Sequence, residues 1–258
     1  MPLMTPRHLE NLNEAQKNAV LSIDGPLLVL AGAGSGKTRV ITHRIIHLIT
    51  QGVAPERILA VTFTNKAAKE MRGRVIELIG TFFPASRAGY DALPTVTTFH
   101  SLGVRILREH HETFGLKKQF TIYDRSDSSR AIKQALVTKG YDPKQFEPRR
   151  ILSHISRAKG DAQSLADFRD AARSYPERVT ADVWEEYEAI LRKEHALDFD
   201  DLLAKTLSML KSHPPILEMY RNRYQFVHID EYQDTNRVQY EIARLIVGTR
   251  ANLCVVGD

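Results

Sequence analysis

The sequence predicts an α/β protein in which helices cover both faces of a parallel sheet and an all-helical subdomain is inserted into the chain. Five short apolar segments rich in β-branched residues have the length of buried strands. Most of them precede residues with apolar side chains at helical spacing, and alternation of strands with helices is typical of parallel sheets. The predicted strands are Leu27–Leu30, Ile58–Phe63, Thr95–Phe99, Phe226–Ile229 and Leu253–Val256.

Helices are predicted after the first four strands, at Lys37–Thr50, Asn65–Ile79, Ser101–His110 and Arg237–Val247. A charged stretch from about residue 110 to 212 also has helical patterns, and it is far too long for a crossover between neighbouring strands. We therefore predict a sheet domain formed by residues 1–109 and 195–258. A helical subdomain, residues 110–194, is predicted to be inserted between its two parts.

Composition and charge exclude several classes of protein. The longest apolar run, Pro26–Ala31, is far shorter than the roughly 20 residues of a membrane-spanning helix, and the first residues lack the apolar core of a signal peptide. The single cysteine excludes a framework of intrachain disulfides, so a cytoplasmic protein is expected. The net charge is +5, and residues 1–109 hold 13 Lys and Arg against 8 Asp and Glu. This excess fits a nucleic acid or another polyphosphate, and equally an ordinary solvated surface.

The glycine-rich segment after the first predicted strand has the composition of a phosphate-binding loop. It fits the pattern G-x-x-x-x-G-K-[ST] except that alanine replaces the first glycine. Its glycines let backbone N–H groups line a concavity for phosphate oxygens, at the positive end of the following helix. Lys37 can then reach the β- and γ-phosphates, and the Thr38 hydroxyl can ligate Mg²⁺. The alternative is a flexible turn. The predicted loop residues are Ala31, Gly32, Ala33, Gly34, Ser35, Gly36, Lys37 and Thr38.

A phosphate loop of this kind needs an acidic partner at the end of another strand. Two strands offer one, because FVHIDE ends in Asp230 and Glu231 and LCVVGD ends in Asp258. The first is favoured because two adjacent carboxylates can divide the work. Asp230 would hold Mg²⁺, while Glu231 orients or deprotonates the attacking water. By itself, such a pair is more often a solvated helix cap.

Two further strands end in an aromatic residue followed by polar residues and a helix. In open parallel sheets this edge binds ligands, and an exposed ring there could stack a nucleic-acid base while hydroxyls and helix N-termini hold phosphates. A buried phenylalanine in the core is the commoner explanation for either ring taken singly. The predicted DNA-binding residues are Thr62, Phe63, Thr64, Asn65, Phe99 and His100.

Seven ordered motifs together resemble those of superfamily 1 DNA helicases of the UvrD/Rep type. The resemblance covers essentially the whole chain and is weakest within residues 110–194. The motifs are LNEAQKNAV (12–20), AGAGSGKT (31–38), VTFTNKAAKEM (61–71), TFHSLGVRIL (98–107), LDFDDLL (197–203), VHIDEYQDTN (227–236) and the terminal VVGD (255–258).

The resemblance implies a RecA-like P-loop NTPase fold for the sheet domain, which would bind ATP and Mg²⁺, with Lys37, Asp230 and Glu231 as catalytic residues. It implies that Gln16 reads the adenine edge and that Arg39 lies against the adenine ring. Gln233 is placed to link the nucleotide and DNA sites. Ala31 is then a mark of the family, because its phosphate loop commonly opens A-x-x-G-x-G-K-T. The inserted subdomain resembles the family's accessory subdomain, whose ISRAKGD segment (155–161) could meet duplex DNA.

The activity that the resemblance implies is an ATP-driven 3′ to 5′ helicase that acts on single-stranded DNA and its junctions with duplex, in repair or replication. Family members run to several hundred more residues, so a second, C-terminal motor domain with arginine fingers is expected to be missing from this chain. We therefore expect the 258 residues alone to bind nucleotide and DNA weakly and not to unwind duplexes.

Three other readings stay open on the sequence. The first is a different P-loop enzyme, a GTPase or a small-molecule kinase. A GTPase would need a guanine-reading Asn-Lys-x-Asp, but Asn65-Lys66 is followed by two alanines. A non-helicase P-loop ATPase, or a module that uses the loop structurally, would retain the loop without DNA-driven turnover. The helicase half of a helicase–nuclease would share all seven motifs.

Overall fold

The computed structural model describes residues 6–32, 34–83 and 93–258, which form two compact units. The first unit comprises the described parts of residues 1–99, 213–235 and 243–258. The second unit comprises residues 100–212 and 236–242. These bounds differ from those of the predicted domains, and the assignment of a motor domain and an accessory subdomain to them stays a prediction.

Strands and helices alternate through most of the described residues. The strands are β1 (Leu27–Leu30), β2 (Ile58–Thr62), β3 (Thr95–Thr98), β4 (Thr121–Tyr123), β5 (Ala196–Asp198), β6 (Phe226–Ile229) and β7 (Leu253–Gly257). The helices are α1 (Glu14–Leu21), α2 (Lys37–Thr50), α3 (Asn65–Phe82), α4 (Phe99–Glu109), α5 (Arg125–Thr138), α6 (Pro148–Gly160), α7 (Leu165–Ala171), α8 (Tyr175–Lys193), α9 (Phe199–Ser212), α10 (Pro214–Arg223) and α11 (Arg237–Val247).

The first unit contains a five-stranded sheet in the order β1-β7-β6-β2-β3, and all of its strand pairs are parallel. The predicted α/β class with a parallel central sheet is therefore confirmed, and each predicted strand belongs to this sheet. Strands β2 and β3 end one residue earlier than predicted, at Thr62 and Thr98, so that Phe63 and Phe99 follow their strands. All carboxyl ends of the sheet lie at one edge, where the chain turns from strand to loop.

Helices α2 and α3 pack on one face of this sheet. Their apolar residues recur three or four positions apart, as in Ile41, Ile45 and Leu48, so each helix turns one stripe toward the strands. All five residues of β2 are buried, and this strand is paired on both sides, with β6 and with β3. Arg44 is also buried on α2, and its guanidinium donates hydrogen bonds to the carbonyls of Ala19 and Ser22. These bonds fix the end of α1 against α2.

The second unit is built mainly from helices, with a core formed by α5, α6 and α8. The predicted insert, residues 110–194, was expected to be all-helical, and that prediction is wrong in one respect, because β4 lies within it. Strands β4 and β5, of three residues each, pair in parallel from Thr121↔Ala196 to Tyr123↔Asp198. The buried core residues include Ile132, Leu136, Ile151, Ile155, Trp184 and Tyr187.

A buried ion cluster joins three helices of the second unit. The Lys159 ammonium lies 2.8 Å from Asp201, 2.9 Å from Glu188 and 3.0 Å from Asp198, and its side chain is 4% exposed. Burial opposes the charge of Lys159, but the carboxylates outweigh it and hold its pKa well above the ordinary value. Burial also raises the pKa of Asp201 to about 6. The cluster ties α6, α8 and α9 together.

None of the helices in the described ranges combines the length and the hydropathy that crossing a membrane requires.

Candidate nucleotide-binding site and nucleic-acid residues

The loop between β1 and α2 has the backbone geometry of a phosphate cradle. Gly34 and Gly36 have φ values of +77° and +86°, which disfavour residues with a Cβ, and Gly36 is the N-cap of α2. The N–H of Ser35 bonds to the carbonyl of Gly32 at 3.2 Å and closes the turn. Ala31 still belongs to the strand ladder, because its N–H donates to the carbonyl of Gly257 at 2.9 Å. A side chain at Ala31 is therefore tolerated. Ala33 lies outside the described residues.

Lys37, the first residue of α2, lies among carboxylates of the same unit. Its ammonium is hydrogen-bonded to Asp258 and lies 3.6 Å from Oε2 of Glu231. The hydrogen bond to Asp258, together with the charge of Glu231, raises the pKa of Lys37, so the side chain is cationic at neutral pH. A nucleotide phosphate at the loop would offer the same ammonium a stronger anion.

A hydrogen bond between Thr38 and Asp230 links the start of α2 to the end of β6. The Thr38 hydroxyl donates to Oδ2 of Asp230 at 3.3 Å, and the N–H of Glu231 donates to Oδ1 at 3.1 Å. Asp230 is 5% exposed, and burial, with the Glu231 charge second, raises its pKa. A hydroxyl and a carboxylate fit Mg²⁺, which usually takes one or two protein oxygens and keeps waters and phosphates as its other ligands. The described residues contain no cluster of three or more metal-binding side chains.

Glu231 adopts an uncommon backbone conformation, with φ 52° and ψ 48°. Left-handed backbone at a residue other than glycine is a form of strain that concentrates at functional sites. The left-handed conformation of Glu231 turns the chain at the end of β6. The carboxylates of Asp230 and Glu231 therefore have different partners. Asp230 turns to Thr38, whereas Glu231 turns to Lys37 and accepts a hydrogen bond from Nε2 of Gln233 at 2.8 Å.

Gln16 contacts the phosphate loop directly. Its Nε2 donates to the carbonyl of Ser35 at 3.0 Å, and its Oε1 accepts from the N–H of Asn13 within the capping box of α1. A Cβ on Gly36 would lie 2.9 Å from Nε2, so glycine there leaves room for the amide. An adenine read by Gln16 would have to share or replace these partners. Arg39 is exposed on the first turn of α2.

The predicted DNA-binding residues of the first unit fall into two groups. Phe63 is 52% exposed, and Thr64 and Asn65 beside it begin α3, with Thr64 as the N-cap. Thr62 and Phe99 are buried, at 2% and 6% exposure. The Phe63 ring is therefore accessible to a base, and the Phe99 ring is not accessible in this conformation.

His100 belongs to the second unit and lies beside an aromatic residue that the sequence reasoning missed. The His100 ring packs edge-on against Phe199 with ring centroids 5.6 Å apart, and Phe199 is 51% exposed at the start of α9. Burial lowers the pKa of His100, which favours the neutral ring. Phe199 lines a cavity of about 650 Å³, together with Arg125 and Arg157. Within LDFDDLL, Phe199 looks like one apolar residue of a helix.

Comparison with known proteins yields one family that matches nearly the entire chain. The model of the family described as UvrD/REP helicase N-terminal domain matches residues 12–258. Among curated proteins, the chain is 45% identical over 251 residues to "ATP-dependent DNA helicase PcrA" of Bacillus subtilis. It is 43% identical over 251 residues to the proteins of the same name from Staphylococcus aureus and Staphylococcus epidermidis. Each match covers 97% of this chain and 33% of the relative, so the chain spans about a third of the length of these relatives.

Proposed function

We propose a function from the premise that this chain belongs to the UvrD/REP helicase N-terminal domain family. In this proposal, the chain is the ATP-binding domain of an ATP-dependent DNA helicase. One observation carries the proposal, namely that the loop after β1 and the end of β6 bring Lys37, Thr38, Asp230 and Glu231 together within one unit. The relatives named ATP-dependent DNA helicases support it.

In this proposal the β- and γ-phosphates of ATP lie in the loop from Gly32 to Thr38. Its backbone N–H groups and the N-terminus of α2 face the phosphate oxygens, and Lys37 leaves its carboxylates to pair with them. Thr38 and Asp230 would hold Mg²⁺. When bound, the ion would offset the negative charge that develops on the phosphate during transfer.

Glu231 acts as the general base. Its carboxylate accepts a proton from a water as that water's oxygen attacks the γ-phosphorus. The bond from the γ-phosphorus to the bridging oxygen breaks, and ADP leaves with the electron pair. Lys37 lies 3.6 Å from Glu231 before nucleotide binds and contacts the phosphates afterwards, so nucleotide binding itself would release the base.

Gln16 and Arg39 would contact the adenine base of the nucleotide. The Gln16 amide contacts the loop already, so a small movement would present its donor and acceptor to the adenine edge. Arg39, exposed on the first turn of α2, can stack its planar guanidinium on the adenine ring. Gln16, which reads the base edge, would favour ATP over GTP, whereas the stacking by Arg39 would suit either purine.

Single-stranded DNA is the proposed nucleic-acid partner. In the first unit Phe63 would stack a base, with Thr64 and Asn65 at the N-terminus of α3 near a phosphate. In the second unit His100 and Phe199 offer another aromatic pair. The helicase would move 3′ to 5′ and act at junctions of single-stranded and duplex DNA in the cytoplasm, in repair or replication.

The experiment is ATP hydrolysis, with and without oligothymidylate, by the protein that carries this chain, together with unwinding of a 3′-tailed duplex. We expect hydrolysis that single-stranded DNA stimulates and that Lys37→Ala abolishes. Arg57→Ala, on a first-unit residue whose side chain contacts Gln225, is the control and should keep full activity. Hydrolysis that is insensitive to DNA, or equal in the Lys37→Ala variant, would overturn the proposal.

A further inference from the structure

The Gln233 side chain links the carboxylate of Glu231 to the backbone after β7. Its Nε2 donates to Oε2 of Glu231 at 2.8 Å, and its Oε1 accepts the backbone N–H of Asp258 at 3.2 Å. One amide thus joins the carboxylate after β6 to the backbone after β7. Both Nε2 and Oε1 of Gln233 therefore have a hydrogen-bond partner.

The space around this amide is closely fitted. A Cβ on Gly257 would lie 2.6 Å from Oε1 of Gln233 and 3.4 Å from the backbone nitrogens of Gln233 and Tyr232. A contact of 2.6 Å is closer than Cβ atoms approach oxygen, whereas 3.4 Å is ordinary. A Cβ at Gly257 would therefore displace the Gln233 amide, whereas its contacts with the two backbone nitrogens would stay ordinary.

The Glu231 carboxylate needs a hydrogen-bond donor to keep one orientation. The side chain of Glu231 is 39% exposed, and its terminal torsion is broad, so the carboxylate would rotate freely without a donor. The other contact of Oε2, with Lys37 at 3.6 Å, is long and would be lost when Lys37 turns to a phosphate. Gln233 is then the contact that remains during hydrolysis.

We propose that Gln233 is the positioning residue of the general base: it fixes the Glu231 carboxylate toward the attacking water and makes that orientation depend on the backbone at the end of β7. The inference rests on the proposed function of Glu231. A displacement of the β7 end breaks the bond to Oε1, frees the amide and disorients the base. Glycine is required at position 257 because a Cβ there would occupy the space of the Gln233 side-chain amide.

The test compares ATP hydrolysis by Gln233→Ala and Gly257→Ala in the protein that carries this chain. Each should lower kcat about 10- to 100-fold, because a base displaced by about 1 Å loses that much, while KM for ATP and the Kd of Mg·ADP change less than about threefold. Gln225→Ala, on a glutamine of the same unit whose partner is Arg57, is the matched control and should match the parent. Equal thermal unfolding midpoints would show that the variants are folded.

A double-mutant cycle tests whether Gln233 acts through Glu231, separately from whether Glu231 is the base. If Gln233 acts through Glu231, then Gln233→Ala added to Glu231→Gln produces no further loss of single-turnover rate. Additive losses would overturn the inference, as would an unchanged kcat in Gln233→Ala or in Gly257→Ala. If Glu231→Gln itself keeps the parent's rate, the failure lies with the proposed base and not with Gln233.

Discussion

The Thr38 hydroxyl lies 3.3 Å from Oδ2 of Asp230, across 192 residues of sequence. Thr38 is the second residue of the helix after β1, and Asp230 follows the last residue of β6. Strand β7 lies between these two strands in the sheet. The pair therefore sets the distance between the phosphate loop and the acidic residues, and it defines the proposed position of Mg²⁺.

Asp230→Asn should raise the Mg²⁺ concentration that ATP binding requires. Loss of the carboxylate is expected to weaken Mg²⁺ binding at least as much as the roughly 10- to 100-fold seen when residues that support metal ligands are changed. Because burial raises the pKa of Asp230, protons should compete with the metal, so the Mg²⁺ concentration at half-saturation should rise as pH falls. Titration of Mg²⁺ against a fluorescent ATP analogue measures both effects. Asp24→Asn, at the other end of β1, should behave as the parent, and an unchanged Mg²⁺ midpoint in Asp230→Asn would refute the assignment.

Phe63→Ala should weaken binding of single-stranded DNA. Removing a stacked ring costs about 1–3 kcal/mol per base, which is roughly a 5- to 150-fold rise in Kd. Anisotropy of a labelled oligothymidylate at one fixed salt concentration measures it. Ile76→Ala removes another exposed apolar side chain, on α3, and serves as the control. Equal affinities of the two variants would mean that Phe63 does not contact the DNA.

Lys159→Met should destabilise the protein strongly. The substitution removes the cation from the buried Asp198 and Asp201 and from Glu188, which is 21% exposed, and removing one partner of a buried ion pair costs about 3–5 kcal/mol. Lys205, 3.8 Å from Glu188 and 4.0 Å from Asp201, remains beside the cluster. Denaturant unfolding followed by circular dichroism measures the loss. Lys139→Met breaks a surface pair with Glu185 and should cost at most about 1 kcal/mol. Adding Asp201→Asn to Lys159→Met should restore part of the stability, and a loss no larger than that of Lys139→Met would contradict the role of the cluster.

Stability should fall in mild acid because of a histidine cluster on the first unit. Nε2 of His8 lies 3.1 Å from Nδ1 of His47, and His43 bonds to the carbonyl of His8. Burial and then the charges of His47 and His43 lower the pKa of His8 to about 4 from 6.5. The unfolded chain therefore binds the extra proton first. Stability from this group is complete above pH 6.5 and is lost as pH falls from 6.5 to 4.

The variant His8→Leu isolates this effect. Thermal unfolding midpoints recorded from pH 7.5 to 4 should decline less steeply in His8→Leu than in the parent protein. The other charged groups that act on the cluster, Arg39 and Arg44, are cations and oppose protonation as well. Parallel curves for the two proteins would rule out a contribution from His8.

The central sheet could be predicted because its strands are short runs rich in apolar and β-branched residues, and β2, β6 and β7 are largely buried. The meeting of Thr38 with Asp230 followed from the rule that ligands bind at the carboxyl edge of such a sheet. Strands β4 and β5 could not be predicted, since three residues are too few to reveal an alternation. Phe99 was expected beside a ligand, but the chain enters α4 there and the ring is buried.

The bond from Gln16 to Ser35 and the bond from Gln233 to Glu231 had no sequence signal of their own. Each joins a glutamine amide to a partner whose position only the folded backbone determines. The two glutamines were singled out through the family resemblance alone. Phe199 was missed for a related reason, because its exposure depends on how α9 begins rather than on its neighbours in sequence.

In the proposed function the loop from Gly32 to Thr38 holds the phosphates of a nucleotide together with Lys37. Calorimetric titration of Mg·ADP into the 258-residue chain measures this binding, with Lys37→Ala and Lys17→Ala compared under the same conditions. We expect one site per chain, intact in Lys17→Ala and weakened at least about 100-fold in Lys37→Ala, which corresponds to about 2.7 kcal/mol. Equal affinity in Lys37→Ala and the parent, or no binding by the folded parent chain, would contradict it.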